Sequence, residues 1–399
     1  MDQHAFALES PRPCPPAAVP TRLTDHPPHE CLARIDAAYR PVWEGRTPEE
    51  QKALNLYFLP HRSAKPTLAP TRPRVIKWYC PFASQSVFPT GHRYCINVYT
   101  GCAHGCLYCY AAGYEPEHAA AKRHYARLLA QDLEDLDRFN LPPAPVHIAN
   151  STDPFQPLEE RLGHTRQTLE GLLAHRDRFT TITVLTKNPA LAARPDYARL
   201  LQSLGELPPT HPRASQFAAS GQPALQVEVS LAFWREEARA FWDPAAPSVA
   251  SRQEGLRALR RAGIPVILRL DPLFPRSPLP TAPVSSLADF GLVEAQTLED
   301  LESLIVFGRE NAVRHVVYSA VKIVRSRRRG LAPPMQNLLR IYRALSAPEK
   351  PEWRGGSWRL PRRVSEPCVT EPFLALCRRR QMSAKFCMQH LLETHPGSS

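Results

Sequence analysis

No stretch of these 399 residues is long and apolar enough to read as a membrane span. The opening MDQHAFALESPRPCPP lacks the basic stretch and apolar core of a secretory signal, so the expectation is a cytoplasmic protein with no membrane association. No HExxH pattern occurs, which leaves zinc-dependent hydrolysis without a catalytic motif. The most telling gap is in cysteine: of the 10 present, none lies between Cys109 and Cys368. Three crowd into residues 102–109 and three more sit near the C-terminus, too uneven a distribution for a disulfide scaffold in so long a chain. In a reducing compartment such crowding points to metal or cluster ligation.

Acidic residues are also scarce towards the C-terminus. From residue 322 onward there are 16 Lys and Arg against 5 Asp and Glu, so nearly all of the formal charge of +12 lies there. A stretch this basic suits a polyanion such as nucleic acid; it equally suits a solvated basic surface with no specific partner. Hydrophobic residues make up 43% of the chain, enough for a substantial core. The length allows one large domain with extensions or two modest domains.

Residues 1–76 are rich in Pro and Ala (PRPCPP, DHPPHE, PTLAPTRPR) and predict an extended, partly disordered N-terminal extension. Two short helical patterns interrupt it, CLARIDAAY and TPEEQKALNLYF, the second with Thr47 as N-cap and Glu50 three residues on. Across 77–325, strand-like runs alternate with helical ones. Strands are expected at 146–150, 180–187, 224–231, 264–274 and 315–323, and helices at 165–177, 195–204, 251–263 and 297–311. The Pro-, Ser- and Ala-rich stretch 205–224 reads as a loop. Such alternation implies an α/β protein with a parallel sheet, a complete or partial (β/α) barrel whose chemistry sits at the C-terminal strand ends. Polar residues gather at those ends: 150–153, 186–188, Ser230, Arg269 and Asp271. Residues 326–399 are set apart as a basic, cysteine-containing C-terminal extension.

The decisive segment is YTGCAHGCLYCYA (99–111), in which Cys102, Cys106 and Cys109 have the spacing C-x3-C-x2-C. Iron–sulfur clusters are held by Cys thiolates, and a local triad covers three corners of a [4Fe-4S] cube. The fourth iron is then open to an outside ligand. If the amino and carboxylate groups of S-adenosylmethionine (SAM) bind there, one-electron reduction can release a 5′-deoxyadenosyl radical, chemistry that belongs to the cofactor. The competing readings are a zinc site on Cys102, His104, Cys106 and Cys109, cramped for four ligands, and a chance group of buried thiols.

With YTGCAHGCLYCYA stand NSTDPFQPLEERLGHTR (150–166), VLTKNP (184–189), VEVSL (227–231) and AGIPVILRLDPLFP (262–275). Together, from about Tyr79 to Val324, these resemble the radical SAM superfamily, and within it the group related to spore photoproduct lyase. The resemblance implies a partial (β/α)6 barrel with its first strand around 93–99. It implies that Tyr108 contacts the adenine of SAM, that Ser151, Thr152 and Asp153 hold its amino group, and that Lys187 pairs with its carboxylate. Ser230 is a second candidate for that end or the ribose, and Arg269 and Asp271 face SAM or substrate. Each residue also has a bland reading: Tyr108 as a packed aromatic, Asp153 as a turn residue or cap, Lys187 as a solvated lysine, Asp271 as a strand end, His104 as a loop-shaping donor. One departure stands out. The family's hydrogen-donating cysteine lies in the barrel, where this chain has none, which puts the thymine-dimer-reversing reaction in doubt.

Cys368, Cys377 and Cys387, with His390 beyond and Cys80 or Cys95 as further ligands, read either as a second iron–sulfur cluster or zinc site or as ordinary buried thiols. Cys14 and Cys31 read as incidental. The function expected is a SAM-cleaving radical enzyme whose substrate class runs from nucleic acid to peptide to small metabolite. It needs a low-potential donor such as ferredoxin or flavodoxin. The rival is an iron–sulfur protein that binds nucleic acid or senses redox state without catalysis.

Overall fold

A computed structural model of the chain describes residues 44–47, 73–77, 94–116, 118–138, 143–211, 214–221, 223–281, 285–326, 330–354 and 356–387. Cys14, Cys31, Cys80, His390 and, apart from Thr47, the two N-terminal helical patterns lie outside the described residues. The strands are β1 (Ile76–Lys77), β2 (Tyr94–Ile96), β3 (Ala144–Ile148), β4 (Phe179–Thr186), β5 (Leu225–Ser230), β6 (Val266–Leu273), β7 (His315–Ala320), β8 (Ile323–Val324), β9 (Glu352–Arg354), β10 (Ser357–Arg359) and β11 (Ser383–Phe386).

Eight of them form one sheet in the order β1-β2-β3-β4-β5-β6-β7-β11. All neighbours in it are parallel except β1, which pairs antiparallel with β2. Parallel sheets bury both faces, and most residues of β4 and β5 are buried although LQVEVS alternates apolar and polar side chains. Ile96, Ile148, Val184, Val227 and Val266 sit in register from strand to strand, forming one buried row.

The crossover helices are α1 (Tyr125–Arg138), α2 (His164–Ala174), α3 (Pro195–Gly205), α4 (Val249–Arg261) and α5 (Leu298–Glu310). Helix α5 starts where Thr297 and Asp300 form a reciprocal capping box. Helix α4 starts before residue 251 because Ser248 accepts from the Ser251 N–H. Helix α1, absent from the sequence reading, buries Tyr125, Leu129, Leu133 and Leu136 at a helical period. The expected loop at 205–224 contains a short helix, Ala214–Ser220, built of residues that tolerate helix well.

Helix α4 packs backbone to backbone on the turn after β4. A Cβ at Gly255 would lie 2.3 Å from Ala190 N and 2.5 Å from the Pro189 carbonyl carbon. Gly255→Ala is therefore expected to destabilise the protein by about 1–3 kcal/mol, despite alanine's better helix propensity. The urea midpoint measures this, and an unchanged or higher midpoint contradicts the packing.

The stretch beyond 325 adds strands to both sheets. After β7 the chain enters a small antiparallel sheet of order β8-β10-β9, so the expected strand 315–323 is two strands in two sheets. Helices α6 (Pro333–Ser346) and α7 (Glu371–Arg379) follow, and Phe373, Leu376 and Met382 join the same core as the sheet. Strand β11 then pairs with β7 from Ser383↔His315 to Phe386↔Tyr318. An unpaired edge on β7 is a liability that the returning chain covers. No helix among the described residues is long and apolar enough to cross a membrane.

Candidate functional site

The C-terminal strand ends open into a cavity of about 1210 Å³. Its walls include Cys102, Cys106, Cys109, Tyr108, Ser151, Thr152, Asp153, Lys187, Ser230, Arg269 and Asp271, which the sequence places as much as 169 positions apart. The cysteine loop follows β2 and needs its glycines. Gly101 has φ +67°, and a Cβ there would lie 2.6 Å from the His118 carbonyl oxygen.

Two segments clamp this loop. On one side Ala103 N–H donates to Gln156 Oε1 at 2.9 Å, Thr152 Oγ1 donates to the Gly101 carbonyl at 2.5 Å, and His104 Nε2 lies 3.1 Å from Asp153 Oδ2. On the other, Leu107 N–H donates to the Trp242 carbonyl at 2.9 Å and Ala245 N–H to the His104 carbonyl at 3.1 Å. His104 thus shapes the loop. Among the described residues no three His, Cys, Asp or Glu side chains close on a single ion. That includes the zinc set of Cys102, His104, Cys106 and Cys109. A four-iron cube takes its thiolates at separate corners and needs no such convergence.

Burial pushes the Cys102 thiol up to about 12, and the Asp153 charge adds to it. Burial likewise raises Cys106 and Cys109. Such thiols stay protonated alone, and a bound metal's charge is what ionises them. The three thiols lie on one cavity wall, on a loop clamped from both sides.

Asp153 spends its carboxylate on protein. Oδ1 accepts from Thr186 Oγ1 at 2.8 Å and from Phe155 N–H at 2.9 Å, and Oδ2 accepts from Lys187 N–H at 2.7 Å. Burial alone would raise it, but the His104 charge and these donors outweigh burial and hold it below the ordinary carboxylate range. Asp153 therefore locks the turn after β3 to the end of β4 and to the cysteine loop, a job closer to its turn-and-cap reading.

Lys187 points its Nζ at Tyr108 Oη (2.8 Å), Ser230 Oγ (3.2 Å) and Asp243 Oδ2 (3.0 Å). It is not a solvated lysine. Asp243 also accepts from Arg252 Nη2 at 3.0 Å, and both Asp243 and Arg252 are completely buried. Burial pushes the Asp243 carboxyl up, yet the Lys187 and Arg252 charges win and hold it well below its usual range. Tyr108 packs edge-on against Phe233 and Phe274, so the packed-aromatic reading describes its ring while its hydroxyl serves Lys187.

Ser151 Oγ lies 3.0 Å from Tyr114 Oη, and its N–H donates to Asn97 Oδ1 at 3.0 Å. Arg269 donates to Glu228 at 2.5 Å, to Asp271 at 2.9 Å and to Cys387 Sγ at 2.8 Å. The sequence reading missed Asn97, Gln156, Glu228, Asp243 and Arg252. Gln156 and Glu228 carried a signal, as parts of NSTDPFQ and VEVSL.

Among the described residues the three C-terminal cysteines sit in different surroundings. Cys377 is buried in the core, Cys368 packs against that core beside Arg276, and only Cys387 lines the cavity. Cys368 precedes helix α7, Cys377 lies within it, and Cys387 follows strand β11. Cys95 is buried in the cavity wall and accepts from Asn150 Nδ2 at 3.1 Å.

No family model matches the chain. An uncharacterized protein of Methanocaldococcus jannaschii is 21% identical over 196 residues, 48% of this chain and 66% of that protein's own length. Two solved structures, a Cys-to-Ser and a Tyr-to-Phe variant of spore photoproduct lyase, are similar with TM-scores of 0.50 at 13% and 12% identity. Each match covers 79% of this chain, and 80% and 79% of the respective lyase chains. The largely parallel α/β fold of this chain is therefore similar to that of spore photoproduct lyase.

Proposed function

We propose that this protein is a radical SAM enzyme, with Cys102, Cys106 and Cys109 holding a [4Fe-4S] cluster and SAM bound beside it. The observation that carries the reading is that the three thiols share one cavity wall with the strand-end residues Ser151, Lys187, Ser230 and Arg269. The sheet is read as a partial (β/α)6 barrel. When bound, the cluster supplies the electron that breaks a carbon–sulfur bond of the sulfonium, chemistry no side chain provides.

The chain's own part is to bind, orient and shield. Lys187, half-buried and held cationic by Asp243, is the partner for the SAM carboxylate, and Ser230 steadies the same ammonium. Ser151 and Thr152 offer oxygens to the SAM amino group. Tyr108 meets the adenine with whatever face Phe233 and Phe274 leave open. Asp153 acts on the loop. The reaction draws its electron from a low-potential donor of the ferredoxin or flavodoxin kind.

Nucleic acid or a nucleotide is the favoured substrate class. Lys77, Lys322 and Arg325 line the cavity together with Tyr114 and Trp353, which are 50% and 56% exposed. Cations for phosphates and aromatic faces for bases are the elements of single-strand binding. The test is anaerobic reconstitution with iron and sulfide, followed by reduction with SAM present. Release of 5′-deoxyadenosine is expected; zinc in the site, or an iron spectrum indifferent to SAM, overturns the assignment.

A further inference from the structure

Strand β11 brings a residue from the far end of the chain into the cavity. Its last pair is Phe386↔Tyr318, and the next residue, Cys387, donates its N–H to the Tyr318 carbonyl at 2.6 Å. The Cys387 side chain is half-buried in the same cavity wall system as the cysteine loop. Its sulfur accepts from Arg269 Nη2 at 2.8 Å, and Arg269 is itself locked by Glu228 and Asp271. A guanidinium has no acceptor, so this contact orients the sulfur without using its S–H.

A second feature of the cavity points to a ligand. His147 lines it, is 3% exposed, and lies 3.9 Å through Nε2 from Glu228, while its buried Nδ1 has no hydrogen-bond partner. Buried polar atoms are nearly always satisfied, so an orphaned imidazole nitrogen on a cavity wall marks where a polar group of a bound molecule belongs.

We propose that Cys387 is the hydrogen-atom donor of this cavity, returning hydrogen to a carbon radical on the bound molecule. The inference rests on the radical SAM reading above. The other candidate donors fit less well: the triad is read as iron ligands, Cys95 is 1% exposed where Cys387 is half-buried, and the Tyr110 hydroxyl donates to the Asn150 carbonyl. An S–H bond is also weaker than an aliphatic C–H. Burial pushes the Cys387 thiol up to about 11, more than the Arg269 charge lowers it, so the sulfur keeps its hydrogen at neutral pH. In the step, S–H breaks homolytically and its hydrogen atom forms the new C–H bond, leaving a thiyl radical. One electron from the low-potential donor and one proton from water restore the thiol. Arg269 is a positioning residue for that sulfur.

The experiment uses the reconstituted full chain with dithionite and SAM alone in D2O, where thiols carry deuterium. The native protein is expected to release 5′-deoxyadenosine containing one deuterium, read by mass spectrometry. Cys387→Ala and Cys387→Ser are each expected to lower the deuterated fraction at least fivefold at unchanged iron content. Cys95→Ala should keep it. An unchanged fraction in a folded Cys387 variant overturns the proposal, whereas absence of 5′-deoxyadenosine from the native protein overturns the enzyme reading itself. In cluster-free protein, iodoacetamide should modify Cys387 and spare Cys377; the reverse order overturns the placement.

Discussion

Cys106→Ala is expected to leave a folded protein that holds essentially no cube and releases no 5′-deoxyadenosine. The side chain is half-buried on a loop whose backbone is held by Trp242 and Gln156, so its sulfur contributes little to the fold. A loss of about 1 kcal/mol or less is anticipated. For the cluster the effect is all or nothing, because two thiolates cover too few corners to retain four irons. Bound iron per chain and the visible thiolate-to-iron absorption measure it. Full iron retention would show that Cys95 or Cys387, both on the cavity wall, is a ligand, and would sink the three-thiol assignment.

Asp243→Ala carries the largest expected cost in stability. The carboxylate stands between Lys187, 14% exposed, and Arg252, fully buried, and both ion pairs measure 3.0 Å. Its removal strands two cations in a low-dielectric interior. Breaking a buried pair in this way costs about 3–5 kcal/mol. Urea denaturation should show a loss of that size, and one below about 1 kcal/mol contradicts the network. Asp243→Asn keeps the volume but not the charge, and is expected to fall between. The damage reaches the site, since Lys187 Nζ is aimed by the same carboxylate and the adjoining Trp242 carbonyl holds the cysteine loop.

The pH dependence has a fixed sign. Burial raises Asp243, Glu228, Asp153 and Asp271, but in each the neighbouring cations and donors outweigh it and leave the folded-state pKa low. Unfolded carboxylates titrate near about 4. The stabilisation is therefore complete above that pH and is lost as pH falls towards the folded values. Asp243→Asn should flatten the acid limb of the stability profile.

Some of the site was legible before any fold was known. The C-x3-C-x2-C spacing is a property of eight consecutive residues, and the alternation of strand and helix comes from side-chain periods of a few residues. Strand-end polarity then pointed to Ser151, Lys187, Ser230 and Arg269, which line one cavity. Their partners were hidden. Asp243 sits in FWDP with nothing around it to suggest a buried carboxylate, because its meaning depends on Lys187, 56 residues away. The spacing of Cys368, Cys377 and Cys387 was equally silent. A helix and an edge strand decide where each thiol goes, and SAKF is too short and polar to announce a strand.

By itself, then, the sequence determined the cysteine spacing, the parallel α/β order and the strand-end residues, since local spacing and periodicity are set within a few turns of chain. Tertiary structure alone decided which charges neutralise Lys187, that Asp153 serves the loop, and that Cys387 reaches Arg269 across 118 residues. Such pairings are settled by which strand edge is left to cover and which buried charge is left to balance, and neither exists until the sheet has formed.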